Sequence, residues 1–368
     1  MNDLILHIGT EKTGTKSIQL TLCCNQKKLL EHGVYYPTDA SLSFVSTTAH
    51  WPVAAAFSEA KGFVPPEKQH APKLILRDLE NCISSSPAQN VLLSAEPISA
   101  QLVKKSQVKS LRKATKKLKA RVSILVYLRP QADFFVSSVS TYLKSGQIMP
   151  LTAEGYCAMN GIEIDYRNAE RFNYLRMYRL WSHQFGREHM IVRPYAHHGE
   201  AHVIDFLAAI GVENITLDHV PSEQNRSLSL EAALLLNEFN QALSCKEYRS
   251  EHVHKLQNAL TDVKGNRKID ELVEPGTYEK IAELYSASNS ELASLLGWEK
   301  PLPTCSRKIS DRALHNRPGV SPETLHCLIS QLKQGPSAEI MDAMFKKVPI
   351  LDKESLPLLR EAREMWIK

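Results

Sequence analysis

The segment LHIGTEKTGTKSIQ, from Leu6 to Gln19, constrains this chain more than any other. Leu4 to Ile8 is a short apolar run ended by Gly9, the pattern of a buried strand. From Thr15 to Glu31 the spacing turns helical, with Ile18, Leu22 and Leu29 on one face and Gly33 placed as a C-cap. Strand, glycine turn and helix in that order present the amides of a helix start, which carry the positive end of its dipole, to whatever occupies the turn. Hydroxyls and two lysines, Lys12 and Lys16, add to an anion-holding character. The bland alternative is a glycine turn with exposed lysines that binds nothing.

Further short β-like runs occur at Val91 to Ser94, Val122 to Leu128 and His189 to Arg193, separated by stretches of helical period. Phe172, Leu175, Tyr178, Trp181 and Phe185 recur every three or four residues, a core-packing stripe, and Val203 to Ile210 makes another helix closed by Gly211. This alternation predicts an α/β fold of three layers, a mainly parallel sheet with flanking helices. The chain has 368 residues, 43% of them apolar, enough for a full core. From about Gly297 prolines gather at positions 301, 303, 318 and 322, so residues 1–297 are expected to form the main domain and 298–368 a C-terminal helical appendage.

Lysine and arginine outnumber aspartate and glutamate by 45 to 40, an excess that suits anionic ligands but not a dedicated nucleic-acid binder. Seven cysteines with no CxxC pair point to a reduced compartment. The first apolar run is too short for a signal peptide, and no stretch approaches the roughly 20 apolar residues of a membrane span. The expected location is the cytoplasm. No HExxH or paired spacing of histidines suggests a metal, and the adjacent His197 and His198 would diverge.

Gly9 and Gly14 have the separation of a Walker loop, but Thr15 intrudes before Lys16 and Ser17, so the lysine is out of frame for a nucleoside triphosphate. With Lys12 inside the loop, the segment closely resembles the 5'-phosphosulfate loop of sulfotransferases that use 3'-phosphoadenosine 5'-phosphosulfate (PAPS), whose pattern is strand, K-[ST]-G-[ST], helix. The resemblance implies a P-loop-like core in which Lys12 touches the oxygen bridging phosphate and sulfate. It assigns Thr13, Gly14, Thr15, Lys16 and Ser17 to the 5'-phosphate, with adenosine 3',5'-bisphosphate as product and no metal. Lys16 departs from the family's usual second threonine, which removes a hydroxyl.

A second motif follows the run Val122 to Leu128: RPQADFFVSSVSTY places Arg129 at a strand end and Ser137 eight residues later. The family's 3'-phosphate motif has this arrangement, and a planar guanidinium suits bidentate contact with phosphate. Alone, Arg129 reads equally as an ion-pair residue and Ser137 as a helix-surface residue. Later, VKGNRKIDELVEPG resembles a lysine-glycine loop that returns to the 3'-phosphate, making Lys264 and Gly265 candidates. NRSLSLEA offers an alternative at Asn225, Arg226 and Ser227, although capping of the helix near Leu230 is the preferred role for Ser227 and Ser229.

Sulfuryl transfer needs a base to take the acceptor's proton. Glu96, at the end of the run Val91 to Ser94, ranks first, with an ion pair or helix-start charge as its bland reading; His50, beside Trp51, ranks second against ordinary core packing. From Lys104 to Arg121 there are nine basic residues and no acid, a solvated helix face or a surface for an anionic polysaccharide. The sequence therefore points to a sulfotransferase acting on a hydroxyl or amine, with a carbohydrate or glycan as expected acceptor and a lipid or other small molecule open. The rivals are a kinase using ATP and magnesium and a non-catalytic polyanion-binding protein of the same fold. Oligomeric state is not legible.

Overall fold

The computed structural model describes residues 3–59, 71–148, 172–196, 199–218, 228–242, 260, 277–303, 320–334, 338–347 and 357–367. Among them five strands form one sheet: β1 (Asp3–His7), β2 (Val34–Tyr35), β3 (Asn90–Ser94), β4 (Val122–Leu128) and β5 (Met190–Pro194). Their order is β2-β3-β1-β4-β5 and every pairing is parallel. The first helices along the chain are α1 (Thr15–Cys24), α2 (Gln26–Glu31), α3 (Pro52–Phe57), α4 (Pro72–Ser85), α5 (Pro97–Gln101), α6 (Lys105–Thr115) and α7 (Gln131–Lys144). After them come α8 (Tyr174–Phe185), α9 (Gly199–Ala209), α10 (Leu230–Ala242), α11 (Thr277–Leu296), α12 (Pro322–Gln334), α13 (Ala338–Lys347) and α14 (Pro357–Ile367).

The period-2 alternation of the strands builds two cores. Leu4, Leu6, Leu93, Ile124 and Val126 face α3, α4, α5, α6 and α8, whereas Ile5, Leu92, Leu125 and Tyr127 face α1, α2 and α9. Strands apolar on both sides are what a parallel sheet between two helical layers demands, and the expected α/β class is the one observed. From β1 the chain moves to one side for β2 and β3, then crosses to the other for β4 and β5. The strand order thus reverses beside β1, where loops at the carboxyl edge part and open sheets of this class hold ligands.

The expected helix from Thr15 to Glu31 is broken at Asn25. Its buried side chain donates from Nδ2 to the Thr21 carbonyl at 2.8 Å and accepts the Asp218 N–H at 2.7 Å. Those bonds hold the residue at φ −115°, outside the helical range, between α1 and α2. Edge strand β2 was not expected, because two residues carry no periodicity; Gly33, at φ +76°, turns the chain into it.

The chain divides into two compact units. The first, Met1–Pro130, Glu170–Gln224 and Tyr285–Pro303, holds the sheet; the second comprises Gln131–Ala169, Asn225–Leu284 and Thr304–Lys368. This division cuts the chain elsewhere than the expected 297/298 boundary. Within the second unit, α10 supplies the contacts: Glu238 accepts the Leu359 N–H at 2.6 Å, Phe239 packs edge-on against Phe345, and Asn240 donates to the Leu143 carbonyl at 2.8 Å. The last helices therefore pack on a mid-chain helix. Ser229 caps α10 as expected, accepting the Ala232 N–H at 3.2 Å. No helix among the described residues is long and apolar enough to cross a membrane.

Replacing Asn25 with Ala removes the acceptor of the Asp218 N–H and one of the two bonds to the Thr21 carbonyl, which keeps the backbone N–H of residue 25, and should lower unfolding free energy in urea by about 1–3 kcal/mol. A loss within about 0.5 kcal/mol, the scatter of ordinary surface changes, would show that the break is not held by this side chain.

Candidate active site

Four loops meet at the carboxyl edge of the sheet. The first, between β1 and α1, has left-handed backbone at Gly9 (φ +51°), Lys12 (φ +66°) and Gly14 (φ +72°). For Lys12 that conformation costs about 1–2 kcal/mol, since its Cβ crowds the following carbonyl. Position 9 favours glycine for a second reason: a Cβ there would sit tightly, 3.2 Å from both Glu96 Cγ and Thr15 Oγ1.

The carbonyls of this loop are held from behind. Ser99 Oγ donates to Gly9, Thr13 Oγ1 to Thr10 at 2.6 Å, Arg129 Nη1 to Lys12 at 2.7 Å, His202 Nε2 to Thr13 at 2.8 Å, and the Ile18 N–H to Gly14 at 3.1 Å. Thr10 in turn donates to the Tyr127 carbonyl of β4 at 2.8 Å. In contrast, the N–H groups of Gly14, Thr15, Lys16 and Ser17 have no acceptor among the described residues. They are the first amides of α1, which no helix can satisfy internally. Bonded carbonyls behind and unspent amides ahead are an arrangement that suits an anion.

The second loop follows β3 and carries Glu96. Glu96 is a half-buried residue whose carboxylate lies close to the Thr15 hydroxyl and within electrostatic reach of Lys12 and Lys16. Burial raises its pKa above the ordinary carboxylate value, and the hydroxyl and two cations hold it back. Burial likewise lowers Lys12 from the ordinary lysine value; Glu96 opposes that shift and Arg129 adds to it. Lys16 is exposed and Ser17 half-buried on the first turn of α1.

The third loop places Arg129, half-buried, at the end of β4, with its carbonyl accepting the Tyr174 hydroxyl at 2.6 Å. From the fourth, Tyr195 lies under the Arg129 guanidinium at 5.5 Å, and His202 of α9 stands edge-on to both Tyr127 and Tyr195 at 4.8 Å. A Cβ on Gly14 would lie 3.0 Å from His202 Cδ2, so glycine lets the ring back the loop. Sequence reasoning missed Thr10, Ser99, Tyr195 and His202. For His202 a signal exists, a lone histidine four residues before Phe206 on the buried face of its helix.

His50 is fully buried, and its Nε2 donates to the Pro37 carbonyl at 2.9 Å while Nδ1 accepts the Ser94 N–H at 3.0 Å. Both nitrogens are committed to backbone, so the ring is neutral and ties the chain around Pro37 to the end of β3. Burial pushes its pKa down to about 4. His7, paired with Ser94 Oγ at 2.8 Å, is pushed to about 3 by burial and by nearby His202. Gln19 completes this patch by donating to Ser94 Oγ at 3.2 Å.

The structure thus gathers Lys12, Thr13, Gly14, Thr15, Lys16, Ser17, Glu96 and Arg129 at one edge. Ser137 is half-buried on α7, in the second unit. Lys264 and Gly265, Asn225 to Ser227, and the pair His197 and His198 lie outside the described residues.

No family model matches the chain, and no curated protein matches it in sequence. Among solved structures, it is similar to the crystal structure of a sulfotransferase from Alicyclobacillus acidocaldarius, at 14% identity and a TM-score of 0.44, over 82% of this chain and 98% of that one.

His7 and His50 are held neutral in the folded chain at values well below the ordinary 6.5. Protons therefore prefer the unfolded state, so the stability is complete above pH 6.5 and falls as acid drives the pH down toward about 4. Urea unfolding between pH 6.5 and 5, above the ordinary carboxylate values and followed in a Glu96→Gln, Glu238→Gln background to remove the two raised carboxylates, should lose up to roughly 1.4 kcal/mol per pH unit for each histidine. A flat profile there would contradict neutral burial.

Proposed function

We propose that this chain is a sulfotransferase that moves the sulfuryl group of PAPS to a hydroxyl or amine, with a carbohydrate or glycan as acceptor. The observation that carries this proposal is the position of Lys12: inside a turn whose carbonyls are bonded from behind and whose leading amides, Gly14 to Ser17, have no acceptor among the described residues. Such a turn suits a phosphate that bears a reactive anionic group within reach of a lysine.

When bound, the donor supplies an activated sulfuryl group on a phosphate leaving group. The amides at the start of α1, with Lys16 and Ser17, would hold the 5'-phosphate. The Lys12 ammonium would meet the negative charge that builds on the departing oxygen, and Arg129 would add cationic charge beside it while fixing the Lys12 backbone. Glu96 would take the acceptor's proton as the new bond to sulfur forms. A carboxylate raised by burial is the stronger base. His50 has both ring nitrogens engaged with backbone, which favours Glu96 for this role.

A kinase of the Walker type would need lysine where Thr15 stands. That threonine is buried in the loop beside Thr13, so the position a Walker lysine would take is filled by a hydroxyl side chain, which favours sulfuryl over phosphoryl transfer.

Adenosine 3',5'-bisphosphate should raise the melting temperature without magnesium. A response to ATP only with magnesium would mean a kinase, and no nucleotide response would mean a polyanion-binding protein. Lys12→Ala and Arg129→Ala should both lose donor-dependent activity. Glu96→Gln should keep nucleotide binding and slow transfer by about 10²–10⁴-fold. In the wild type kcat/KM should rise with pH as Glu96 ionises, through a pKa above the ordinary carboxylate value, and Glu96→Gln should lack that limb. Normal turnover by Glu96→Gln would remove it as the base.

A further inference from the structure

The stretch from Lys104 to Arg121 contains nine cations and no acid. Nine exceeds the net charge of +5 for the whole chain, so the rest of the molecule is net negative and the positive excess is gathered here. Helix α6 gives this excess a shape. Val108, Leu111 and Ala114 are buried, the first two in the core cluster on that side of the sheet, whereas Lys105, Lys109 and Lys113, with Lys116 just past the helix end, are exposed. Steps of four, four and three residues align those lysines along one outer line, a cation per turn at intervals of about 6 Å.

None of the four has an ion-pair partner among the described residues. The segment's ends do: Lys104 pairs with Glu59 at 2.6 Å, and Arg121 pairs with Asp3. Neighbouring α8, which meets α6 where the Arg112 guanidinium lies over the Phe185 ring at 5.3 Å, carries no carboxylate either. Uncompensated like charges on adjacent turns repel one another, and an extended polyanion laid along them relieves that repulsion.

The chemistry of the surface selects among polyanions. Single-stranded nucleic acid needs aromatic faces for its bases, yet α6 has no aromatic residue and those of α8, Tyr174, Tyr178, Trp181 and Phe185, are buried. A membrane-lying helix needs an apolar face toward lipid, and that of α6 is committed to the core. A linear anionic polysaccharide needs only point charges at regular intervals with hydroxyls between them, which the lysines and the exposed Ser106 and Ser110 supply.

Because α6 joins β3 to the parallel β4, it runs back from the carboxyl edge to the amino edge, and its first turn lies at the edge that bears Glu96. We infer that the outer face of α6 is a docking track for a linear anionic polysaccharide. Its service as a track for the acceptor rests on the sulfuryl-transfer proposal; the docking itself does not.

The test is calorimetric titration of the full chain with a size-defined heparin oligosaccharide over a range of salt, against the triple variant Lys105→Glu, Lys109→Glu, Lys113→Glu. The wild type should bind with an affinity that falls as salt rises. The variant should bind at least about tenfold more weakly, and its plot of log affinity against log salt should be shallower by about three. An unchanged melting temperature and an unchanged response to adenosine 3',5'-bisphosphate show that the variant is folded and its loop intact. Equal binding by variant and wild type overturns the inference. So does duplex DNA, or a phosphatidylserine vesicle, held through the same lysines at least as tightly as the oligosaccharide. A wild type that binds the oligosaccharide through these lysines yet ignores the bisphosphate would overturn the sulfotransferase proposal and leave the docking track standing.

Discussion

The hydrogen bond from Arg129 to the Lys12 carbonyl is the contact on which the candidate site depends. Lys12 is the loop's non-glycine left-handed residue, and a conformation that costs free energy persists only where its surroundings fix it. The charge-assisted bond to Arg129 fixes it from β4, while His202 on α9 fixes the next carbonyl and Ser99 on α5 fixes that of Gly9. Each donor comes from a different element, so the loop's shape is a property of the assembled sheet edge. With the carbonyls so engaged, the amides at the start of α1 are left for an external acceptor.

The same contact couples the charges. Arg129 beside Lys12 disfavours a second cation, Glu96 restores it, and burial penalises both members of the lysine–glutamate pair. An added anion in front of the loop would favour charged Lys12 and disfavour charged Glu96. Ligand binding and proton affinity are therefore linked at this edge: a bound anion makes Glu96 a stronger base and Lys12 a more persistent cation.

Local features of the fold were legible in the sequence. Strand β4 falls on the expected residues, and the turn with Lys12 inside it and Arg129 at a strand end is readable because each is a short pattern at a strand terminus. What was not legible depends on residues far apart in the chain. His50 looks like a base candidate until Pro37 and Ser94 are seen to use both its nitrogens, and His202 reaches Thr13 across 189 positions only because β5 lies beside β4. Asn25 breaks an otherwise unbroken helical period because Asp218 needs its oxygen. The grouping of α10 with the C-terminal helices likewise follows from packing partners that no local composition announces.

The two basic regions of the first unit obey different physics. Lys12 and Arg129 are partly buried behind a loop, where charge interacts strongly over short distances and salt screens it little. The α6 lysines stand in solvent, where each is worth little and acts over roughly 8–10 Å at ordinary ionic strength. A row of weak, screened charges cannot discriminate one small anion from another, but it sums over a long one. The buried pair does the reverse, responding to the placement of a single anionic group. Under the docking and transfer proposals, the surface row would capture a large anion and the bonded loop would recognise a small one.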